Sequence, residues 1–148
     1  VTATPVRVIQ ALVTLWDVAL GEVLVHDGEP PAGADSSRML VVGTDIDPDI
    51  DAIAGTATRN VGSLFGDMDV QCVLQGWSGD VAPGARATLR NDVFELFRLA
   101  TEAVWATPGL DIPEIVSSAH VSSWSLRDLS DDQGALAQIV FLVHVDTY

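Results

Sequence analysis

Apolar residues recur along the chain at two different periods. Between Pro5 and Leu20, Ile9, Leu12, Val13, Trp16 and Leu20 fall three or four positions apart, the spacing that sets one apolar stripe of a helix against a core. Thr4 is the expected N-cap, Pro5 fits the first helical position, where its missing N–H costs nothing, and Gly21 closes the helix. A second helix is predicted over Ala85 to Ala106. There Leu89, Val93, Leu96, Phe97, Ala100 and Val104 repeat over several turns until Pro108 and Gly109 stop them. Between the helices the period drops to two. Met68, Val70, Cys72 and Leu74 alternate with Asp69, Gln71, Val73 and Gln75, the signature of a half-buried strand. Shorter apolar runs predict strands at Val23 to His26 and at Arg38 to Thr44. Ile115 to Arg127 and Ala135 to Thr147 read as a hairpin turning at Asp131, Asp132, Gln133 and Gly134. In its second arm Ile139, Phe141, Val143 and Val145 load one face while Val140 and Leu142 load the other, so that arm belongs inside a sheet.

The predicted order is αβββαββ, an α+β class with a mostly antiparallel sheet packed by two helices. At 148 residues and 15.7 kDa the chain has room for one sizeable core, so residues 1–148 read as a single domain. Two stretches lack a period of their own. Gly28 to Ser37 is rich in Gly, Pro, Ala and Ser, and Asp45 to Gly62 alternates acids with small residues. Both are expected to be mobile in a free subunit and to gain contacts on assembly.

Charge narrows the function classes. Seven basic residues, every one Arg, stand against 21 acids for a formal net charge of −14. Without lysine there is no phosphate-cradling Walker loop, Schiff-base enzyme or pyridoxal enzyme. Scattered Arg in so acidic a chain cannot supply the cluster that nucleic-acid affinity requires. A mean hydropathy of +0.31 with 48% hydrophobic residues excludes disorder. No apolar run reaches the roughly 18 residues of a membrane span, and a signal peptide is not evident, so the chain is expected to be soluble and unsecreted. The single Cys72 leaves no partner for an internal disulfide or a Cys-based zinc site.

Candidate chemistry is sparse. Asp45, Asp47, Asp49 and Asp51 start like a calcium loop, but Ile50 stands at the sixth position and Thr56 at the twelfth, where Gly and a bidentate Glu are needed. The bland reading, a solvated acidic loop, is the better one. Gly76-Trp77-Ser78-Gly79-Asp80 is close to a nucleophile elbow, yet Asp80 replaces the second glycine, and Pro83 and Gly84 part Ser78 from the next helix. A plain strand-ending turn is a better reading than a serine hydrolase. His26, His120 and His144 fall on predicted strands without metal-ligand spacing, so no metal site or cofactor is expected, although His120 and His144 can pair across the last hairpin. The four tryptophans form no stacking ladder and suit core or interface packing. Arg86, Arg90 and Arg98 share one polar face of the second helix; their partners are either acids of a neighbouring subunit or, locally, Glu102 and Asp92.

In this order of elements the chain resembles the tail terminator proteins of long-tailed, siphovirus-type bacteriophages, particularly the small ones from phages of actinobacteria. The features that carry the resemblance are the N-terminal helix, the strand ending in His26-Asp27-Gly28 before a Pro-rich loop, and the strand reaching Val41-Val42-Gly43. The long polar loop, the strand Asp69-Val70-Gln71-Cys72-Val73, the Arg-bearing helix and the Gly134 to Asp146 strand complete it. The resemblance implies a non-enzymatic virion component of the tail or neck, assembled in the bacterial host cytoplasm, whose copies, commonly six, close into a ring at the head-proximal end of the tail tube. Such a ring ends tube growth, meets the tail tube protein and the head-tail connector or stopper protein, and passes DNA through an acidic opening without binding it. Arg86 and Arg90, with Asp45, Asp47, Asp49 and Asp51, are then the expected subunit or partner interface, and charge reversal at either Arg is expected to weaken the ring and leave the fold intact. Another neck, head-tail connector or tail-completion protein shares this layout. From other classes, a small hydrolase using Ser78 and an acidic mimic of nucleic acid stand as alternatives.

Overall fold

The period-two stretch forms the long central strand of a sheet. In the computed structural model, which describes residues 3–29, 37–57 and 65–148, the elements follow as α1 (Thr4–Ala19), β1 (Leu24–Asp27), β2 (Arg38–Val42), β3 (Ile53–Ala57), β4 (Phe65–Ser78), α2 (Ala85–Ala106), β5 (Val116–Asp131) and β6 (Gly134–Thr147). The class is α+β, a mostly antiparallel six-stranded sheet with two helices. The order is αββββαββ, one strand richer than αβββαββ. The added strand is β3, which lies inside the stretch read as a structureless loop. Its sequence, Ile-Ala-Gly-Thr-Ala, has too little apolar bulk to show a period. Pairing with β4 holds it instead, with Ile53 opposite Val70 and Gly55 opposite Met68. Gly55 is required there, since a Cβ would lie 2.4 Å from the Asp67 carbonyl oxygen.

The strands run β1-β2-β4-β6-β5, with β3 also on β4. β1 is parallel to β2 and every other pairing is antiparallel. β6 pairs with β4 from Met68–Val145 to Ser78–Ala135 and with β5 on its other side, the interior place its two-sided apolar pattern predicts. One β4 edge is therefore taken by β6 from Met68 to Ser78. β2 and β3 follow each other along the other edge, opposite Cys72–Gly76 and Phe65–Val70.

One sheet face carries the main core. Leu40, Val42, Val70, Cys72, Leu74, Ile139, Phe141, Val143 and Val145 pack there against Val8, Leu12 and Trp16 of α1 and Leu89, Val93, Ala100 and Val104 of α2. The Phe141 ring meets Trp16 edge-on at 5.8 Å and Phe97 at 5.1 Å between centroids. Trp16 Nε1 donates to the Ala100 carbonyl at 3.0 Å, tying the helices together. Gly76 allows α2 to sit this close: a Cβ there would come within 2.7 Å of Val93 Cγ2. α2 spans the predicted residues. α1 begins one residue early, with Ala3 rather than Thr4 at the N-cap and no side-chain cap; Thr4 and Pro5 form its first turn. Of the tryptophans, Trp16 is core, whereas Trp77, Trp105 and Trp124 are exposed. Among the described residues no helix is long and apolar enough to cross a membrane.

Candidate functional site

Strand alternation turns Asp67, Asp69, Gln71, Val73 and Gln75 of β4 away from the helices, together with Val140, His144 and Asp146 of β6. Gln71 organises this second face. It is fully buried, and its side-chain carbonyl accepts from the Asp47 N–H at 3.0 Å while its amide donates to the Ile50 carbonyl at 2.8 Å. Its backbone carbonyl accepts from the N–H groups of Gly43 and Thr44, and its own N–H donates to the Ala52 carbonyl. One residue thus fastens both ends and the middle of the chain between β2 and β3. Ile46 packs onto the small apolar patch of Met39, Val41, Val73 and Val140, and the Asp47 carboxylate reaches to 3.7 Å from Arg127 of β5.

The acidic stretch therefore lies across the sheet as an ordered strap: the contacts that Asp45 to Ala57 were expected to gain on assembly are in part made within the chain. Strand pairing and a buried amide do what the sequence period of this stretch could not announce. The rest of that expectation, at residues 30–36 and 58–62, lies outside the described residues. Asp45, Asp49 and Asp51 are exposed on the strap, and Asp47 caps the Asp49 N–H at 3.1 Å.

The donors that converge are others. Among the described residues, ligand atoms of Asp67, His144 and Asp146 lie within 4.8 Å of one another. His144 Nδ1 is 2.9 Å from Asp69 Oδ1, and its Nε2 is 3.0 Å from Asp146 Oδ1 and 4.0 Å from Asp67 Oδ2. Ser118 donates to the other Asp146 oxygen at 2.9 Å. The bond to Asp69, followed by the bond to Asp146, raises the His144 pKa above its ordinary value against the opposing effect of burial. The Ser118 hydroxyl, followed by His144, holds Asp146 below the usual carboxylate range. His120 faces His144 across the hairpin with ring centroids 5.4 Å apart, the pairing the sequence allowed. The carboxylates around His144 were not anticipated. The signal was present as Asp67-x-Asp69 and His144-x-Asp146, two period-two pairs whose meeting depends on the β4–β6 register.

Arg86 and Arg90 lie on the opposite, helix-covered side, so the structure does not bring them together with Asp45, Asp47, Asp49 and Asp51. Both converge on Asp128 of β5, with Nε atoms 3.0 and 3.3 Å from its two oxygens. The Asp128 side chain is only 11% exposed and sits beneath the first turns of α2, where its charge offsets two cations at the positive end of a helix dipole. Of the expected local acids, Glu102 does pair with Arg98, at 2.6 Å, and Arg98 also grips Glu95, whereas Asp92 pairs with Arg38 at 3.0 Å.

The elements of a serine hydrolase stand apart. Ser78 ends β4 and accepts from the Asp80 N–H at 3.2 Å. His144 pairs opposite Asp69, nine residues up the strand, or about 30 Å at 3.3 Å per residue, and His120 is opposite His144. His26 lies on β1 two strands from β4, with its Nδ1 2.9 Å from the Gly28 carbonyl. The depression beside Ser78 is lined by Arg38, Asp80, Thr88 and Asp92 without an imidazole. Cys72 faces the core, where burial pushes its thiol up to about 12 and leaves it un-ionised. No family model matches the chain, and no curated protein matches it.

Proposed function

We propose that this chain is a structural virion protein, a tail terminator whose copies close into a ring at the head-proximal end of a long-tailed phage's tail tube. The observation that carries the reading is the gathering of carboxylates, with few cations beside them, on the sheet face away from the helices. Asp45, Asp47, Asp49, Asp51, Asp67, Asp69 and Asp146 gather on the face away from the helices, where, among the described residues, Arg127 and the His144 imidazole are their basic partners. On the helix side the Arg groups of α2 are matched by Asp128, Glu95 and Glu102. A surface so rich in carboxylate repels phosphate, so a bore lined by it lets DNA slide without adhering.

In this reading the acid-bearing face turns toward the channel and the helices toward the outside. One rim of the ring meets the tail tube protein and the other the head-tail connector. Arg86 and Arg90, about half exposed even while paired to Asp128, extend toward an acid of the neighbouring copy. Native mass spectrometry of the purified chain tests the proposal. A closed oligomer, six copies being the expected number, that halts polymerisation of tail tube protein supports it. A monomer at every concentration, with tube growth unaffected, contradicts it.

A further inference from the structure

We infer that Asp67, His144 and Asp146 form a binding site for a divalent first-row transition metal ion. The inference rests on the strand geometry and does not depend on the ring reading. His144 and Asp146 are two residues apart on β6 and so share a face. The register that sets Met68 opposite Val145 brings Asp67 beside Asp146 from β4. Two carboxylates so placed across a strand pair repel each other, and a dication between them removes the repulsion. His144 Nε2, 3.0 Å from one carboxylate oxygen and 4.0 Å from the other, has the spacing of donors that share an ion about 2.0–2.2 Å from each.

Two further contacts distinguish this group from an ordinary acidic patch. Asp69 holds His144 through Nδ1 at 2.9 Å, which orients the ring and leaves Nε2 as the coordinating atom, the carboxylate–histidine arrangement that tunes metal ligands. Ser118 holds Asp146 Oδ2 at 2.9 Å and so aims Oδ1 at the same point. Asp67, the most exposed member, has room to close on an ion. One imidazole with two carboxylates suits zinc, cobalt(II) or manganese(II) rather than calcium, which takes oxygen donors alone. When the ion enters, it takes the place of the direct contact between Nε2 and Asp146 Oδ1, now 3.0 Å apart.

The test is titration of the full chain with zinc(II) by calorimetry and with cobalt(II) by visible absorption, at mildly alkaline pH. One ion per chain with ligand-field bands of a nitrogen-containing site is expected. His144→Gln should weaken binding at least about 100-fold, and Asp69→Asn, which leaves all three ligands in place, about 10- to 100-fold. Asp49→Asn on the strap should change nothing, and circular dichroism should confirm that each variant folds. Weak binding of several ions that His144→Gln leaves unchanged, equal affinity for calcium, or loss of binding with Asp49→Asn rather than His144→Gln would each overturn the inference.

Discussion

The two faces of the sheet solve different problems with the same strands. On the helix side, large apolar side chains interlock around Phe141 and Trp16, and the cations of α2 find carboxylates within the chain. On the other side the apolar patch is only Met39, Val41, Val73 and Val140, and polar contacts do the organising. Gln71 fixes the acidic strap, and His144 gathers three carboxylates. Hydrophobic burial thus decides the fold from one side and leaves the other free to carry surplus negative charge. The outer surfaces of the helices also carry exposed acids, Asp17 and Glu22 among them, but there Arg7, Arg38, Arg86, Arg90 and Arg98 stand beside carboxylates.

That contrast can be broken most severely from the apolar side. Phe141→Ala removes the ring at the meeting point of both helices and should cost about 3–5 kcal/mol in denaturant unfolding, lowering protection across the whole sheet. Gln71→Ala should act on the other face alone. It strips the Asp47 N–H and the Ile50 carbonyl of their partner at a cost of about 1–3 kcal/mol. Amide exchange should rise at Asp47 first while the amides of α2 keep their protection. Uniform loss of protection in Gln71→Ala would mean that the strap and the core are one cooperative unit.

Smaller effects sharpen the picture of the charges. Replacing Arg86 and Arg90 together by Ala leaves the nearly buried Asp128 without its cations. After discounting for the half-exposed guanidiniums, the loss should be about 1–2 kcal/mol, with either single change costing less than half of it. Because Arg86 and Arg90 pair with Asp128, charge reversal at these positions should perturb the fold as well as any subunit contact, and a test of assembly must compare folded fractions. Arg98→Ala, in an exposed pair of ion bridges along α2, should leave the unfolding midpoint unchanged within error.

The sequence made the periodic elements legible. α2 could be read from end to end because Leu89, Val93, Ala100 and Val104 keep helical spacing and bury as a stripe. β6 could be placed inside the sheet because both its faces are apolar. β3 was hidden because Ile53 is its one bulky residue and its partner supplies the order. Gln71 was misleading for a physical reason. Alternation assigns a polar residue of a half-buried strand to solvent, and only the strap across it makes that position interior. Asp128 was out of reach of a helix-spacing argument, since it lies 42 positions from Arg86. The group around His144 likewise needed the register of two strands distant in sequence.

The central claim is that the acid-bearing face looks into a channel. Electron cryo-microscopy of the assembled protein tests it directly, by locating Asp45, Asp49, Asp67 and Asp69 relative to the symmetry axis. The account predicts a closed ring with these carboxylates lining the bore and α1 and α2 outside. A ring with the helices inward and the carboxylates on its outer wall would contradict it.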